Sequence, residues 1–219
     1  MGNVEALLFD FNGTLSHDEP VLLSIYQRLF ARHGRPLRAE DYYGQLAGHT
    51  EETIIGSWLG VDGPLLESLV AERIATYAAE AADGATVPKP VREAVRYAAA
   101  RGSVGIVSGA FRAEIEPVVT AAGIAGELST IVTADDVEQG KPHPEGYLLA
   151  LERLGVDAGA AIALEDTEAG VASAKDAGLR CLAVRGTLPD HRLRRADELV
   201  DRIDVGLVTR LLAQGNPCP

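Results

Sequence analysis

Short apolar runs alternate with helical stretches along most of this chain, and that rhythm admits few folds. The runs cover residues 4–9, 104–108, 130–133, 161–164 and 181–184. Segments with helical spacing, 91–101, 113–122, 145–154, 169–177 and 203–212, accompany all but the first of them. Strands this short and uniformly apolar have no solvated face, and parallel strands need a helix-sized crossover between them. The expected class is therefore α/β, with a parallel sheet covered on both faces. One stretch departs from the rhythm. Residues 16–82 show no strand-like alternation and read as helix after helix, at 20–33, 40–46, 51–59 and 64–82. Val21, Leu22, Ile25, Leu29 and Phe30 set a helical spacing that Gly34 ends, Thr50 suits an N-cap, and Pro64 opens the longest helix. The turn residues of Asp83-Gly84-Ala85-Thr86-Val87-Pro88 then close the insert. The expected organisation is an α/β core of residues 1–15 and 84–219, interrupted after its first strand by a helical unit at 16–83.

Bulk properties narrow the function. A hydrophobic content of 47% is ample for a packed core, and no apolar stretch approaches the length of a membrane span. A net charge of −12 argues against general nucleic-acid affinity, which needs clustered basic residues. Cys181 and Cys218 are too few and too far apart for a disulfide framework or a zinc site. No basic stretch leads into an apolar one at the N-terminus, so cytoplasmic residence is the expectation. The expected partner is a small phosphorylated substrate, with no nucleic acid and no membrane, and a monomer is the expected working unit.

Chemistry-bearing residues stand at the strand tips, where ligands of open α/β sheets bind. Asp10 ends the first apolar run and opens Asp10-Phe11-Asn12-Gly13-Thr14-Leu15. Ser108, followed by Gly109, ends the second, and a small hydroxyl beside backbone N–H groups suits a phosphate oxygen. Lys141 lies in Gly140-Lys141-Pro142-His143-Pro144 and can neutralise charge near a phosphate and a carboxylate. Glu165-Asp166, after Ile162-Ala163-Leu164, offers the hard oxygen ligands that magnesium requires. Each feature alone has a bland reading: a helix start, a solvated lysine, an N-cap.

In this order, each closing a successive strand, these four elements resemble the four motifs of the haloacid dehalogenase-like superfamily, across about residues 4–186. The tail is also similar to that family, in which Ala-Asp-x-x-Val, here Ala196 to Val200, precedes a final strand and helix. The resemblance implies a Rossmann-like core with a helical cap, as in the β-phosphoglucomutase and phosphoglycolate phosphatase branch. It implies Mg2+ held by Asp10, Asp166 and the backbone carbonyl of Asn12, with Glu165 assisting. It further implies Asp10 as nucleophile, giving an aspartyl-phosphate, with Ser108 and Lys141 stabilising the transferring group.

The first motif departs from the family at one position. Its second Asp, the usual general acid/base, is Asn12. An amide can neither give a proton to a leaving alcohol nor take one from water. The sequence therefore leaves several readings open: a phosphatase in which His17 or Asp18 substitutes, one whose leaving group needs no acid, or an inactive or substrate-trapping binding protein. Other branches fit less well. The cap contains no lysine for a phosphonatase Schiff base, and the Glu-Asp pair that magnesium-independent dehalogenases lack is present. In Gly48-His49-Thr50-Glu51, Glu51 stands where a sugar-phosphate mutase places an arginine. His17, His49 and Thr50 are expected to face substrate from the cap side, along with Gly109 from the core. His33, His143 and His191 are expected at the surface.

Overall fold

The computed structural model describes residues 4–213. Six strands form one parallel sheet: β1 (Ala6–Phe9), β2 (Ser103–Val107), β3 (Thr130–Val132), β4 (Ala161–Glu165), β5 (Arg180–Val184) and β6 (Glu198–Val200). Their spatial order is β3-β2-β1-β4-β5-β6. β1 is central, with Phe9 beside Ile106 of β2 on one side and Leu164 of β4 on the other. All four of its residues are buried, as a strand covered on both faces requires. Its side chains alternate between two cores. Leu7 and Phe9 pack with α5 (Lys89–Ala99), α6 (Arg112–Ala121) and α9 (Val205–Ala213), whereas Ala6 and Leu8 pack with α7 (Glu145–Leu154) and α8 (Glu168–Asp176).

Between β1 and α5 the chain is helical. It comprises α1 (Glu19–Arg32), α2 (Ala39–Asp41) running into a wider turn at Tyr42–Leu46, α3 (Glu51–Leu59) and α4 (Gly63–Glu80). Aromatic rings hold these helices together: Tyr26 lies 5.5 Å from Phe30 and 5.8 Å from Tyr42, centroid to centroid. The Thr50 hydroxyl accepts the Thr53 N–H at 3.3 Å, so the expected N-cap forms.

Two local expectations need correction. The stretch 40–46 is not one regular helix, because after Asp41 the turns widen to the i→i+5 pattern, and the Ala47 N–H bonds the Tyr42 carbonyl. Near the C-terminus, Ala196 to Val200 does not precede the last strand; its second half is β6, pairing with β5 through Leu182↔Glu198 to Val184↔Val200. Asp197 enforces that placement by accepting the Cys181 N–H at 2.8 Å. Cys181 is a free, buried thiol, and Cys218 lies outside the described residues.

Candidate active site

The strand order reverses at β1, with β2 and β3 to one side and β4 to β6 to the other, so loops diverge above its C-terminal end and leave a cleft. Asp10 is the first residue past β1 and is fixed by its N–H, which donates to the Leu164 carbonyl at 2.8 Å. Lys141 reaches Asp10 from the loop before α7. Its ammonium donates to Asp10 Oδ1 and Glu165 Oε1, both at 2.5 Å, and to the Val107 carbonyl at 2.9 Å. Burial alone would depress the lysine pKa, but the two carboxylates outweigh it and hold Lys141 charged. Glu165 also accepts the Tyr147 hydroxyl at 2.8 Å. Its carboxylate lies so close to the first turn of α8 that a Cβ on Gly170 would come within 1.9 Å of Oε2.

Three carboxylates meet at this point. Asp10, Glu165 and Asp166 each offer an oxygen within 4.8 Å of the others, and all three are buried. Burial pushes the Asp10 carboxyl up to about 7, with the Glu165 charge adding to it and Lys141 opposing it. Burial, then the charges of Asp10 and Glu165, raises Asp166 well above the usual carboxylate range. Asp166 Oδ1 accepts the Thr14 hydroxyl at 3.4 Å, while its buried Oδ2 has no hydrogen-bond partner. Gly13, at φ +75°, approaches so closely that a Cβ there would lie 2.0 Å from that oxygen. An unpartnered buried carboxylate oxygen, inside a triad that one lysine only partly neutralises, is a fit for a hard divalent cation such as Mg2+.

The cleft above the triad encloses roughly 420 Å³ and has two walls. Asp10, Asn12, Ser108, Gly109 and Lys141 line the core side, and His49 and Thr50 line the other, so the structure brings together these expected residues. The Ser108 hydroxyl accepts the Ala110 N–H at 3.1 Å, which orients it at the strand tip. His17 does not join them. It is exposed, absent from the cleft lining, and tied through its N–H to the Thr86 carbonyl at 2.7 Å. His33, His143 and His191 are exposed, as expected. Asp18 points inward but beneath the cleft lining: fully buried, it accepts from Asn12 Nδ2 at 2.8 Å, from the Gly13 N–H at 3.3 Å and from the Tyr77 hydroxyl. The Asn12 amide is thus committed as a donor.

The structure also places Glu19, Tyr42 and Arg73 in the wall built by α1 to α4, and of these Glu19 and Arg73 were not singled out by sequence reasoning. For Arg73 a signal existed. It shares the buried stripe of α4 with Leu69, Val70 and Tyr77, and an arginine in a helix's buried stripe needs a partner. It has two: Glu114 of α6, bonded to Nη1, and Glu51, whose Oε1 lies 3.1 Å from Nη2. For Glu19 there was none, since an acidic residue in a first helical turn is ordinary.

The haloacid dehalogenase-like hydrolase family matches residues 4–178. Validoxylamine A 7'-phosphate phosphatase of Streptomyces hygroscopicus subsp. limoneus is 33% identical over 195 residues, covering 88% of this chain and 91% of its own. Protein CbbY of Rhodobacter capsulatus is 32% identical, covering 81% and 83%. Among solved structures, a CbbY variant from Rhodobacter sphaeroides in complex with xylulose-1,5-bisphosphate superposes with a TM-score of 0.81 at 27% identity, over 91% of this chain and 95% of that one. β-Phosphoglucomutase of Clostridium difficile superposes at 0.80 over 96% and 98%, and at 17% identity it speaks for the fold alone. Among the described residues, no helix is long and apolar enough to cross a membrane. With the match spanning all four motifs, three at strand tips and the Lys141 motif in the loop before α7, this chain belongs to the haloacid dehalogenase-like hydrolases.

Proposed function

We propose that the protein is a magnesium-dependent phosphomonoester hydrolase acting on a small phosphorylated metabolite through an aspartyl-phosphate, with residues 16–83 as its cap. The observation that carries this reading is Asp10, held at the tip of β1 by Lys141 in the same buried triad as the unpartnered Asp166 oxygen. Relatives support the substrate class: besides the validoxylamine phosphate phosphatase, N-acetylmuramic acid 6-phosphate phosphatase of Pseudomonas aeruginosa is 28% identical, and so is a phosphorylated carbohydrates phosphatase of Thermotoga maritima.

Asp10, Asp166, Glu165 and the backbone carbonyl of Asn12 would hold Mg2+, which supplies charge neutralisation at the phosphoryl oxygens. The Asp10 carboxylate attacks phosphorus, the P–O bond to the alcohol breaks, and an acyl phosphate forms on Asp10. Lys141 and the Ser108 hydroxyl donate to the non-bridging oxygens as negative charge spreads over them. Water then attacks the acyl phosphate, releasing inorganic phosphate and restoring Asp10. Asn12 cannot protonate the leaving alkoxide, and general acid catalysis is worth roughly 10²–10⁴-fold. The reading therefore places this enzyme's best rates on esters with good leaving groups.

A second reading, a protein of the same fold that holds phosphate esters without turning them over, draws on the commitment of the Asn12 amide to Asp18. Release of phosphate from p-nitrophenyl phosphate with Mg2+ separates the two, because nitrophenolate needs no proton. Magnesium-dependent turnover is expected; none above the blank would favour the second reading.

A further inference from the structure

The cap-side wall carries charged groups that the chemistry at Asp10 does not use. Arg73 is 2% exposed and lines the cleft, yet its Nε–H has no hydrogen-bond partner. Its other nitrogens are taken by Glu114 and Glu51. Glu19, also in the lining, has a buried Oε2 without a partner. The Tyr42 hydroxyl lies beside it, and Tyr42 is itself part of the wall. Among the charged groups, one unpaired donor and one unpaired acceptor therefore sit in one wall of a cavity that continues down to Asp10, with the unpaired Tyr26 hydroxyl in the same wall. Buried polar groups left unmatched are costly, and a ligand that completes them recovers that cost.

The charge balance limits what this ligand can be. One guanidinium faces three carboxyl groups, those of Glu19, Glu51 and Glu114, and the buried Asp18 adds a fourth next to Glu19. A second phosphate or a carboxylate placed here would find the one cation, Arg73, already committed to Glu114 and Glu51, and would sit among carboxyl groups whose ionisation burial already opposes. A hydroxyl suits both unpaired groups, since it accepts from N–H and donates to a carboxylate.

We propose that Glu19, Tyr42 and Arg73 form a specificity subsite for the non-reacting end of the substrate, which takes the hydroxyls of a polyol and rejects a second anionic group. The inference rests on the phosphatase reading for its reacting end only. The substrate class is thus a polyhydroxylated monophosphate ester, not a bisphosphate of the kind bound by the structurally similar CbbY variant. Burial, with the Asp18 charge, lifts the Glu19 carboxyl to about 7 while Tyr42 and Arg73 pull it down. Glu19 in turn acts on Tyr43 and on Asp166, so all five groups belong to its surroundings.

Titration calorimetry on the whole chain with Mg2+ tests this without requiring turnover. The probes are sorbitol 6-phosphate, hexyl phosphate as its hydroxyl-free counterpart, and fructose 1,6-bisphosphate. Sorbitol 6-phosphate should bind at least about tenfold more tightly than either, the scale of one hydrogen bond to a charged group. Glu19→Gln should shrink its advantage over hexyl phosphate, and Glu51→Gln, which leaves more of the Arg73 charge uncompensated, should shrink its advantage over the bisphosphate. A bisphosphate that binds as tightly as the polyol ester, or a Glu19→Gln protein with an unchanged ranking, overturns the subsite. Loss of p-nitrophenyl phosphate turnover with this ranking intact would overturn the phosphatase reading and leave the subsite standing.

Discussion

Restoring a carboxylate at position 12 is the perturbation that tests most of this reasoning. The Asn12 amide donates to Asp18 at 2.8 Å, so Asn12→Asp sets a half-buried carboxyl group against the buried one of Asp18. Burial already holds Asp18 above its ordinary pKa, with Tyr77, Ser16, Asn12 and the Gly13 N–H working against it. Two unit charges about 4 Å apart repel by about 4 kcal/mol at an effective dielectric constant of ~20, which corresponds to about three pKa units. The pair will share one proton near neutral pH, as closely spaced carboxylates do. The variant thus gains, beside the proposed nucleophile, a carboxyl that can carry the shared proton, the form a general acid needs. Steady-state kinetics on alkyl phosphates should show kcat rising by roughly 10²–10⁴-fold, with little change on p-nitrophenyl phosphate. Adding Asp18→Asn removes the like charge, so the pH above which alkyl phosphate hydrolysis falls should move down. A kcat on alkyl esters unchanged or lowered by Asn12→Asp would refute the argument that a missing acid limits this enzyme. A rate near zero in both proteins would point to a substrate-holding role.

Asp10→Ala removes the proposed nucleophile and metal ligand together and should abolish p-nitrophenyl phosphate turnover; activity within about tenfold of the parent would exclude the aspartyl-phosphate route. Asp166→Ala should raise the magnesium concentration needed for half-maximal activity, measured by metal titration, and metal-independent turnover would contradict its assignment. Gly170→Ala drives a methyl into the Glu165 carboxylate and should cost about 1–3 kcal/mol in denaturant unfolding, a loss to be compared with Gly140→Ala, where nothing lies within 4 Å. Stability without metal should depend on pH with a definite sign. The folded protein holds the Asp10 proton up to about 7 against 3.8 for a free aspartate, so it binds more protons than the unfolded chain across that window. Thermal stability in chelator should therefore fall as pH rises from about 4 to about 7. The stabilisation by added Mg2+ should grow over the same range, and a flat profile in chelator would count against the buried triad.

Much of the core was legible because local signals sufficed. Apolar runs too short for helices, each with a helix beside it, dictate parallel strands whatever their order in space. A residue just past such a run must emerge on the ligand side of the sheet, which is why Asp10, Ser108 and Asp166 could be placed from sequence. The Thr50 cap of α3 and the ends of α3 and α7 were equally local, set by a side-chain oxygen at the start of α3 and by Gly60 and Gly155 just past the last turns. His17 failed for an equally physical reason: being close to the motif in sequence does not decide on which side of a turn a side chain leaves, and its backbone bond to Thr86 holds that turn against the start of the core.

The sequence by itself determined the α/β class, the family and which residues stand at the strand tips, because the period of side chains along strands and helices is a property of each segment alone. Only the tertiary structure decided how charges 22 to 131 residues apart compensate one another. It brought Lys141 between Asp10 and Glu165, tied the Asn12 amide to Asp18, and set Arg73 of α4 against Glu114 of α6 and Glu51 of α3. Such pairings depend on which helix packs across which, and electrostatic energy inside a protein follows distance and burial in space, not separation along the chain.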